Sequence, residues 1–314
     1  MDASVIVATR NRSRFVSALL DALAAQVLHA GTSWELLVVD NGSTDDTAHV
    51  LAQELDRGRL PLLALHEPTP GKSRALNLAM ARARGDLWVF TDDDVLPDRG
   101  WLGAYISAAG RHPNIDGFAG RVLPKWLGDL PGWLHTEGPF AMPRGITNTR
   151  DFGLDEHRLP REVIPGGVNT ALRAAAARRN GAFREDVGPG TSIPYAEDTD
   201  FMGRYTQRGG GFWYVPQALL HHCNIPERMT KPYVMRWAFQ AARCQVLTAT
   251  LRADGVARSA GVPNYLWRQA IERGLAWLFE PRPMHRLMLG LRLNTTLGQI
   301  RGYRELKNAR EPGP

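Results

Sequence analysis

The sequence predicts an α/β fold: a mostly parallel central sheet flanked by helices, followed by a helical, basic C-terminal extension. Three observations predict it. Short apolar runs alternate with helically spaced stretches as far as Thr91, each run stops at a polar loop, and the strand pattern disappears beyond Pro232.

Residues 4–8 (SVIVA) and 36–39 (LLVV) are apolar on consecutive positions, as strands covered on both faces of a sheet are. Between them, residues 14–26 place apolar side chains at helical spacing. After Asn41-Gly42-Ser43 a second helix begins near Thr44-Asp45-Asp46, whose side chains suit a helix start. A strand near Leu62–Leu65, a helix from about Lys72 to Arg84 and a strand over Leu87–Thr91 continue the alternation. In such sheets ligands gather beyond the carboxyl ends of the strands. There the sequence puts Thr9-Arg10-Asn11-Arg12, Asp40-Asn41 and Asp92-Asp93-Asp94, so three loops form one rim.

Regularity falls from about Pro124 to Pro165, where prolines are interspersed with Gly, Trp and charged residues. A stretch of this length inside a domain points to a long functional loop or lid, with disorder as the competing reading. Order resumes at Gly166-Gly167-Val168-Asn169, with a helix over about Arg173–Asn180, a helical stretch at Phe201–Tyr205 and a strand at Phe212–Pro216 that ends short of His221-His222. From Pro232 to about Tyr303 the chain reads as helical, broken near Gly255–Pro263 and Pro281–Pro283. Met284, Leu287, Met288 and Leu291 share one helical face there, which suits packing on the core or, with Arg286, Arg292 and Arg301 nearby, peripheral contact with an anionic membrane.

Composition narrows the function classes. At 314 residues and 44% hydrophobic content the chain can bury a sizeable core, and no apolar run reaches the roughly 20 residues of a membrane span. The opening MDASVIVATRNR lacks the layout of a secretory signal, so the expected compartment is the cytoplasm, with contact at the cytoplasmic face of a membrane as the variant. Cys223 and Cys244 are too few for a disulfide framework. The net charge of +6 is uneven: residues 226–314 carry fifteen Lys/Arg against six Asp/Glu.

Three consecutive carboxylates at a strand end repel one another in a partly dry cleft, and a divalent cation removes the cost. Mg²⁺ or Mn²⁺ held by one or two carboxylates fills its remaining positions with water and substrate phosphate, which implies a phosphate-bearing substrate. The bland alternative is an acidic helix start near Asp98. Glu197-Asp198 opens the Phe201–Tyr205 stretch; as a helix cap it needs no further role, but an ionised carboxylate there can also take a proton from a hydroxyl. His221 or His222 can add an imidazole to a metal shell begun by Asp94.

The motif order resembles family 2 glycosyltransferases. It runs Ser4-Val-Ile-Val-Ala-Thr-Arg-Asn-Arg, Leu37-Val-Val-Asp40-Asn-Gly-Ser-Thr-Asp-Asp, Gly71-Lys-Ser-Arg74-Ala-Leu-Asn77, Asp92-Asp-Asp94, Glu197-Asp198 and His222, and covers about residues 4–230. The resemblance implies a GT-A-type, Rossmann-like fold, with a catalytic domain over 1–230 and a basic helical extension over 231–314. The nucleotide-sugar half would be about 1–123 and the acceptor half about 124–230. It implies that Thr9, Arg10, Asn11 and Asp40 border the base and ribose, that Lys72, Arg74 and Asn77 border the base and diphosphate, and that Asp92 and Asp94 are the acids of a DxD motif. Asp94 would be the direct metal ligand, with Asp92 beside it and Asp93 reaching ribose or metal. Gly166, Gly167 and Asn169 would line the donor sugar and acceptor, Asp198 with its neighbour Glu197 would supply the catalytic base, and His222 would be a metal ligand, with His221 as the alternative register.

The implied activity is inverting transfer from a nucleotide-diphosphate sugar, UDP-sugar favoured, to a hydroxyl of a glycan, lipid-linked or small-molecule acceptor, assisted by Mn²⁺ or Mg²⁺. Nucleic acid has no part in it. A sugar-phosphate nucleotidyltransferase would share the acids and the α/β fold but wants a glycine-rich loop after the first strand, which Thr9–Ser13 lacks. An inactive nucleotide-sugar or glycan-binding module is the non-enzymatic alternative.

Overall fold

Thr9, at the end of the first strand, lies level with Asp40, at the end of the second, and that register organises the molecule. The structure is a computed structural model that describes residues 1–248 and 255–310; the helix expected across residues 249–254 lies outside the described residues. Two compact units are present. The first comprises Met1–Lys125, Asn148–Ser192 and Glu197–Cys223; the second comprises Trp126–Thr147, Ile193–Ala196 and the chain from Asn224 onward.

In the first unit β1 (Ala3–Thr9), α1 (Ser13–Ala24), β2 (Trp34–Asp40), α2 (Thr47–Arg57), β3 (Leu62–His66), α3 (Lys72–Arg82) and β4 (Leu87–Thr91) alternate as the sequence predicts. They are followed by β5 (Val95–Pro97), α4 (Trp101–Arg111), β6 (Gly117–Trp126), then, after the one-turn α5 (Arg144–Thr147) of the second unit, by β7 (His157–Arg158), β8 (Asn169–Arg173), α6 (Ala174–Asn180), α7 (Glu197–Gln207) and β9 (Phe212–Asn224). One mixed sheet runs β3-β2-β1-β4-β8-β6-β9-β5, with β7 paired to β9. Its first four strands are parallel, and β8 turns the pairing antiparallel.

Both faces of the parallel half are covered, which is why its strands read as unbroken apolar runs. Val5, Val7, Leu36 and Val38 face α1 and α4 through Leu19, Leu23, Trp101 and Tyr105. Their neighbours Ile6, Leu37 and Val39 face α3, α6 and α7 through Ala75, Ala79, Ala177 and Phe201. Successive strand side chains point to opposite faces, so each run fills two cores.

Two boundaries differ from the sequence reading. β6 continues through Pro124 to Trp126, and β9 runs past Pro216 as far as Asn224, so His221 and His222 lie within a strand. Pro216 stands between the stretch of β9 paired with β7 at Trp213-Tyr214 and the stretch paired with β5 at Leu220–His222. The break that a proline suggests is bridged by partners distant in sequence.

The second unit contains α8 (Lys231–Leu247), the short hairpin β10 (Arg258–Ser259) and β11 (Val262–Pro263), α9 (Asn264–Phe279) and α10 (Pro283–Arg310). Thr230 Oγ1 accepts the amide of Tyr233 at 3.3 Å and starts α8. Leu287 and Leu291 of α10 are buried with Val234 and Ala238 of α8, and Met284 and Met288 pack against the same cluster. A Cβ on Gly298 would stand 2.1 Å from the Phe239 carbonyl, so the α8 and α10 backbones approach too closely for a side chain there. Cys223 and Cys244 are buried thiols.

Candidate active site

The rim begins where β1 and β2 end. Asn11, in the left-handed backbone region at φ 53°, accepts the Thr44 amide on Oδ1 at 2.7 Å and donates its own N–H to Ser43 Oγ at 2.9 Å. It stitches the two strand-end loops together. Asp40 is buried and accepts the Ser43 amide at 2.9 Å, holding the turn that follows β2. Asn41 carries the third loop, accepting Gly71 N–H at 2.8 Å and donating to the carbonyls of Glu67 and Thr69.

β4 delivers the three aspartates to the same edge, since Thr91 is in register with Val7. No helix follows them: Val95–Pro97 forms β5, so these acids do not serve a helix start. Asp93 accepts the Thr9 hydroxyl at 2.8 Å and lies 3.3 Å from Arg12 Nη1, which also donates to Asp94 Oδ2 at 2.5 Å. Asp94 Oδ1 is 3.2 Å from His222 Nε2. Asp92, which is less buried, accepts Lys72 Nζ at 2.6 Å. Ligand atoms of Asp92, Asp94 and His222 all lie within 4.8 Å of one another. Two carboxylates and an imidazole that close suit a divalent cation.

The pleat explains which histidine joins the acids. β9 pairs antiparallel with β5, setting His222 opposite Val95, and the Cys223 amide donates to the Asp94 carbonyl at 2.8 Å. Alternation turns His221 away, and its Nδ1 lies 3.4 Å from Asp98 on the exposed side.

Charge is unevenly matched here. Burial pushes the Asp93 carboxyl up to about 7; the charges of Asp94 and Asp92 add to the shift, while Arg12 and the Thr9 hydroxyl oppose it. Lys72 is held protonated well above its usual range against the burial that disfavours charge, by Asp92, Glu197 and Asp198. Sequence reading placed Arg12 in the rim but gave it no partner. In the sequence the need for such a cation shows only as the charge of three adjacent acids.

Glu197 and Asp198 open α7. Glu197 is buried and reaches Lys72 at 3.1 Å, so one lysine joins the acid run to the first turn of α7. Burial raises the Glu197 carboxyl above its ordinary range, against the opposing charge of Lys72. Asp198 Oδ2 accepts Gly167 N–H at 2.7 Å, and Oδ1 accepts Thr199 N–H at 2.7 Å. A Cβ on Gly167 would stand 2.8 Å from the Asp198 Cβ, so this approach needs glycine.

Other expected site residues are occupied elsewhere. Asn169 is buried, donating to the Arg121 and Ala218 carbonyls and accepting Trp101 Nε1 and the Tyr105 hydroxyl; its side chain secures the core under Gly166-Gly167. Asn77 exchanges hydrogen bonds with the backbone of Phe183. Arg74 pairs with Glu185 at 2.7 Å, and Arg10 is exposed.

The family model described as Glycosyl transferase family 2 matches residues 4–177. The chain belongs to this family. Pre-mycofactocin glycosyltransferase of Mycobacterium tuberculosis is 26% identical over 240 residues, which cover 76% of this chain and 46% of that protein. Poly(ribitol-phosphate) beta-N-acetylglucosaminyltransferase TarS of Staphylococcus aureus is 33% identical over 94 residues, 30% of this chain and 16% of that protein. The chain therefore spans less than half the length of either relative.

The fold is shared with solved structures. The mannosyltransferase PcManGT from Pyrobaculum calidifontis, in complex with GDP-Man and Mn²⁺, matches 99% of this chain and 88% of its own at a TM-score of 0.60 and 21% identity. S. aureus TarS 1-349 with UDP-GlcNAc matches 99% and 92% at a TM-score of 0.53 and 17% identity. The architecture is thus of GT-A type. Within family 2 the sequence match ends at residue 177, so Glu197, Asp198 and His222 lie beyond it. The contacts of Lys72 with Glu197 and of Asp94 with His222 join those residues to the matched part.

Proposed function

We propose that this chain is an inverting glycosyltransferase that moves a sugar from a nucleotide-diphosphate sugar, UDP-sugar favoured, to the hydroxyl of a glycan or related acceptor. The observation that carries the reading is the group of Asp92, Asp94 and His222 ligand atoms within 4.8 Å at the carboxyl edge of the parallel strands. Asp92, Asp94 and His222 would hold a Mn²⁺ or Mg²⁺ ion, which would supply Lewis-acid neutralisation of the diphosphate leaving group. Solved fold relatives carry GDP-Man with Mn²⁺ or UDP-GlcNAc, which supports a nucleotide-sugar donor.

The chain's own residues perform the rest. Asp198, held by the Gly167 and Thr199 amides, accepts the proton of the acceptor hydroxyl as that oxygen attacks the anomeric carbon. The new bond forms on the face opposite the departing diphosphate oxygen, so the anomeric configuration inverts. Lys72 keeps Asp92 and Glu197 compensated while the donor is absent. The rim residues Thr9, Asn11 and Asp40 border the nucleoside end.

A thermal-shift panel of UDP, GDP, CDP and dTDP, each with Mn²⁺ and again with EDTA, tests the donor class. Stabilisation by UDP that EDTA removes is the expected result. Stabilisation by another nucleotide corrects the donor, and full transfer activity in excess EDTA removes the metal from the mechanism.

A further inference from the structure

Helix α9 turns an apolar face to solvent. Trp267, Ile271, Leu275, Leu278 and Phe279 recur on one side of it and are 36%, 65%, 54%, 56% and 76% exposed. Its other side is engaged within the second unit: Leu266 is buried with Val262, Ile300 and Tyr303, Arg273 donates to the Arg292 carbonyl at 3.2 Å, and Arg286 lies over the Trp277 ring at 4.7 Å. A surface helix normally buries its apolar stripe, and here the stripe points outward. This face is distinct from the Met284–Leu291 stripe of α10, which packs against α8.

The surroundings identify what would cover it. Residues 255–310 contain ten Lys/Arg and three Asp/Glu. All three acids are matched by arginines: Glu272 by Arg268 at 3.7 Å, Glu280 by Arg282 at 2.7 Å and Glu305 by Arg301 at 2.5 Å. Arg286 and Arg292 are exposed beside the helix. A second copy meeting the first through α9 would bring two basic regions together, whereas anionic headgroups complement them. Trp267 and Phe279 at the two ends of the stripe suit the boundary between headgroups and acyl chains. No described helix is long and apolar enough to cross a bilayer, so such contact lies in the interface plane.

We propose that α9 docks this chain on an anionic membrane surface, with the stripe from Trp267 to Phe279 inserted among the lipids and the basic flanks over the headgroups. The proposal stands apart from the chemistry of the strand-end acids. Cosedimentation of the full chain with vesicles of phosphatidylcholine, alone or mixed with phosphatidylglycerol, tests it at low and high salt. The wild type should sediment with the mixed vesicles at low salt and release at high salt. Because both positions are exposed, the double variant Ile271→Glu/Leu278→Glu should keep the wild-type melting temperature while binding roughly tenfold or more weakly, given the apolar area removed from the contact. Absence of binding to the mixed vesicles, equal binding by both proteins, or binding indifferent to salt overturns the proposal. So does a wild-type dimer in sedimentation velocity that the variant loses, which would make the stripe a self-association surface.

Discussion

The loop joining β4 to β5 and the first turn of α7 both gather carboxylates, and they solve the resulting electrostatic problem differently. In α7 the helix helps: Asp198 takes the amide of Thr199 in its own first turn, with that of Gly167 from the loop before β8, and acids in a first turn are favoured by the helix dipole. β5 and not a helix follows β4, and Asp92, Asp93 and Asp94 meet side chains from distant segments, among them Lys72, Arg12, Thr9 and His222. The first turn of α7 calls on Lys72 for Glu197 alone, whereas the loop after β4 recruits both Arg12 and Lys72 to offset three adjacent acids, a setting that suits another cation. Lys72 touches both regions, so the comparison can be broken from either end.

The largest effect should come from the helix side. Asp198→Asn keeps the side-chain size, gives up one of the two amide contacts of the carboxylate and removes the proton acceptor, and transfer should fall by about 10²–10⁴-fold while nucleotide affinity stays nearly unchanged. Steady-state kinetics beside nucleotide titration checks this. Normal turnover would reduce Asp198 to a helix cap and leave the acid run as the whole of the site.

Next comes the bridge. Lys72→Met leaves Asp92 and Glu197 without their shared cation, and should destabilise the protein by about 3 kcal/mol, the lower end of the cost of breaking a buried pair because Lys72 and Asp92 keep some solvent contact while Glu197 is buried. Urea unfolding measures it. A loss that excess Mn²⁺ partly restores would show that the β4–β5 loop accepts an external cation where the internal one is missing; an unchanged midpoint would mean the two regions are independent.

The paired histidines sharpen the loop side. His222→Ala should weaken Mn²⁺ binding by at least about the 10–100-fold that loss of an outer-shell partner costs, whereas His221→Ala should leave it intact because that ring faces Asp98. Isothermal titration of both variants decides it, and the reverse ranking would reassign the ligand.

What could be read in the sequence divides along the same line. Unbroken apolar runs and helical spacing revealed the parallel half, because β1, β2 and β4 are strands covered on both faces and joined by local helices. The antiparallel half was harder to see: β9 crosses Pro216, and β5 is only three residues long, so both depend on partners far along the chain. At the site, the acid run announced itself by its density of charge. The compensation by Arg12 did not, because an arginine in a strand-end loop carries no sign of which carboxylate it will meet. Asn77 and Asn169 show the converse limit. Placed at the site by the family resemblance, both have hydrogen-bond partners that the sequence does not show: their side chains fasten backbone segments around Phe183 and Ala218.

The smallest expected effect isolates the member of the acid run whose carboxyl burial raises most clearly, despite Arg12 and Thr9. Asp93 titrates at about 7 in the fold, against roughly 4 for an ordinary aspartate, so the folded state binds this proton more tightly than the unfolded chain does. Its contribution to stability is therefore fully present below pH ~4, declines as the pH rises towards about 7 and is flat above, the opposite of a carboxylate stabilised by a partner. In EDTA the melting temperature should carry this downward component between those limits, and Asp93→Asn, which keeps the shape but cannot ionise, should remove it. Calorimetric scans of both proteins from pH 5 to pH 8 provide the comparison. Identical slopes would mean that Arg12 and Thr9 hold Asp93 ionised throughout, and that the loop after β4 is as fully compensated as the first turn of α7.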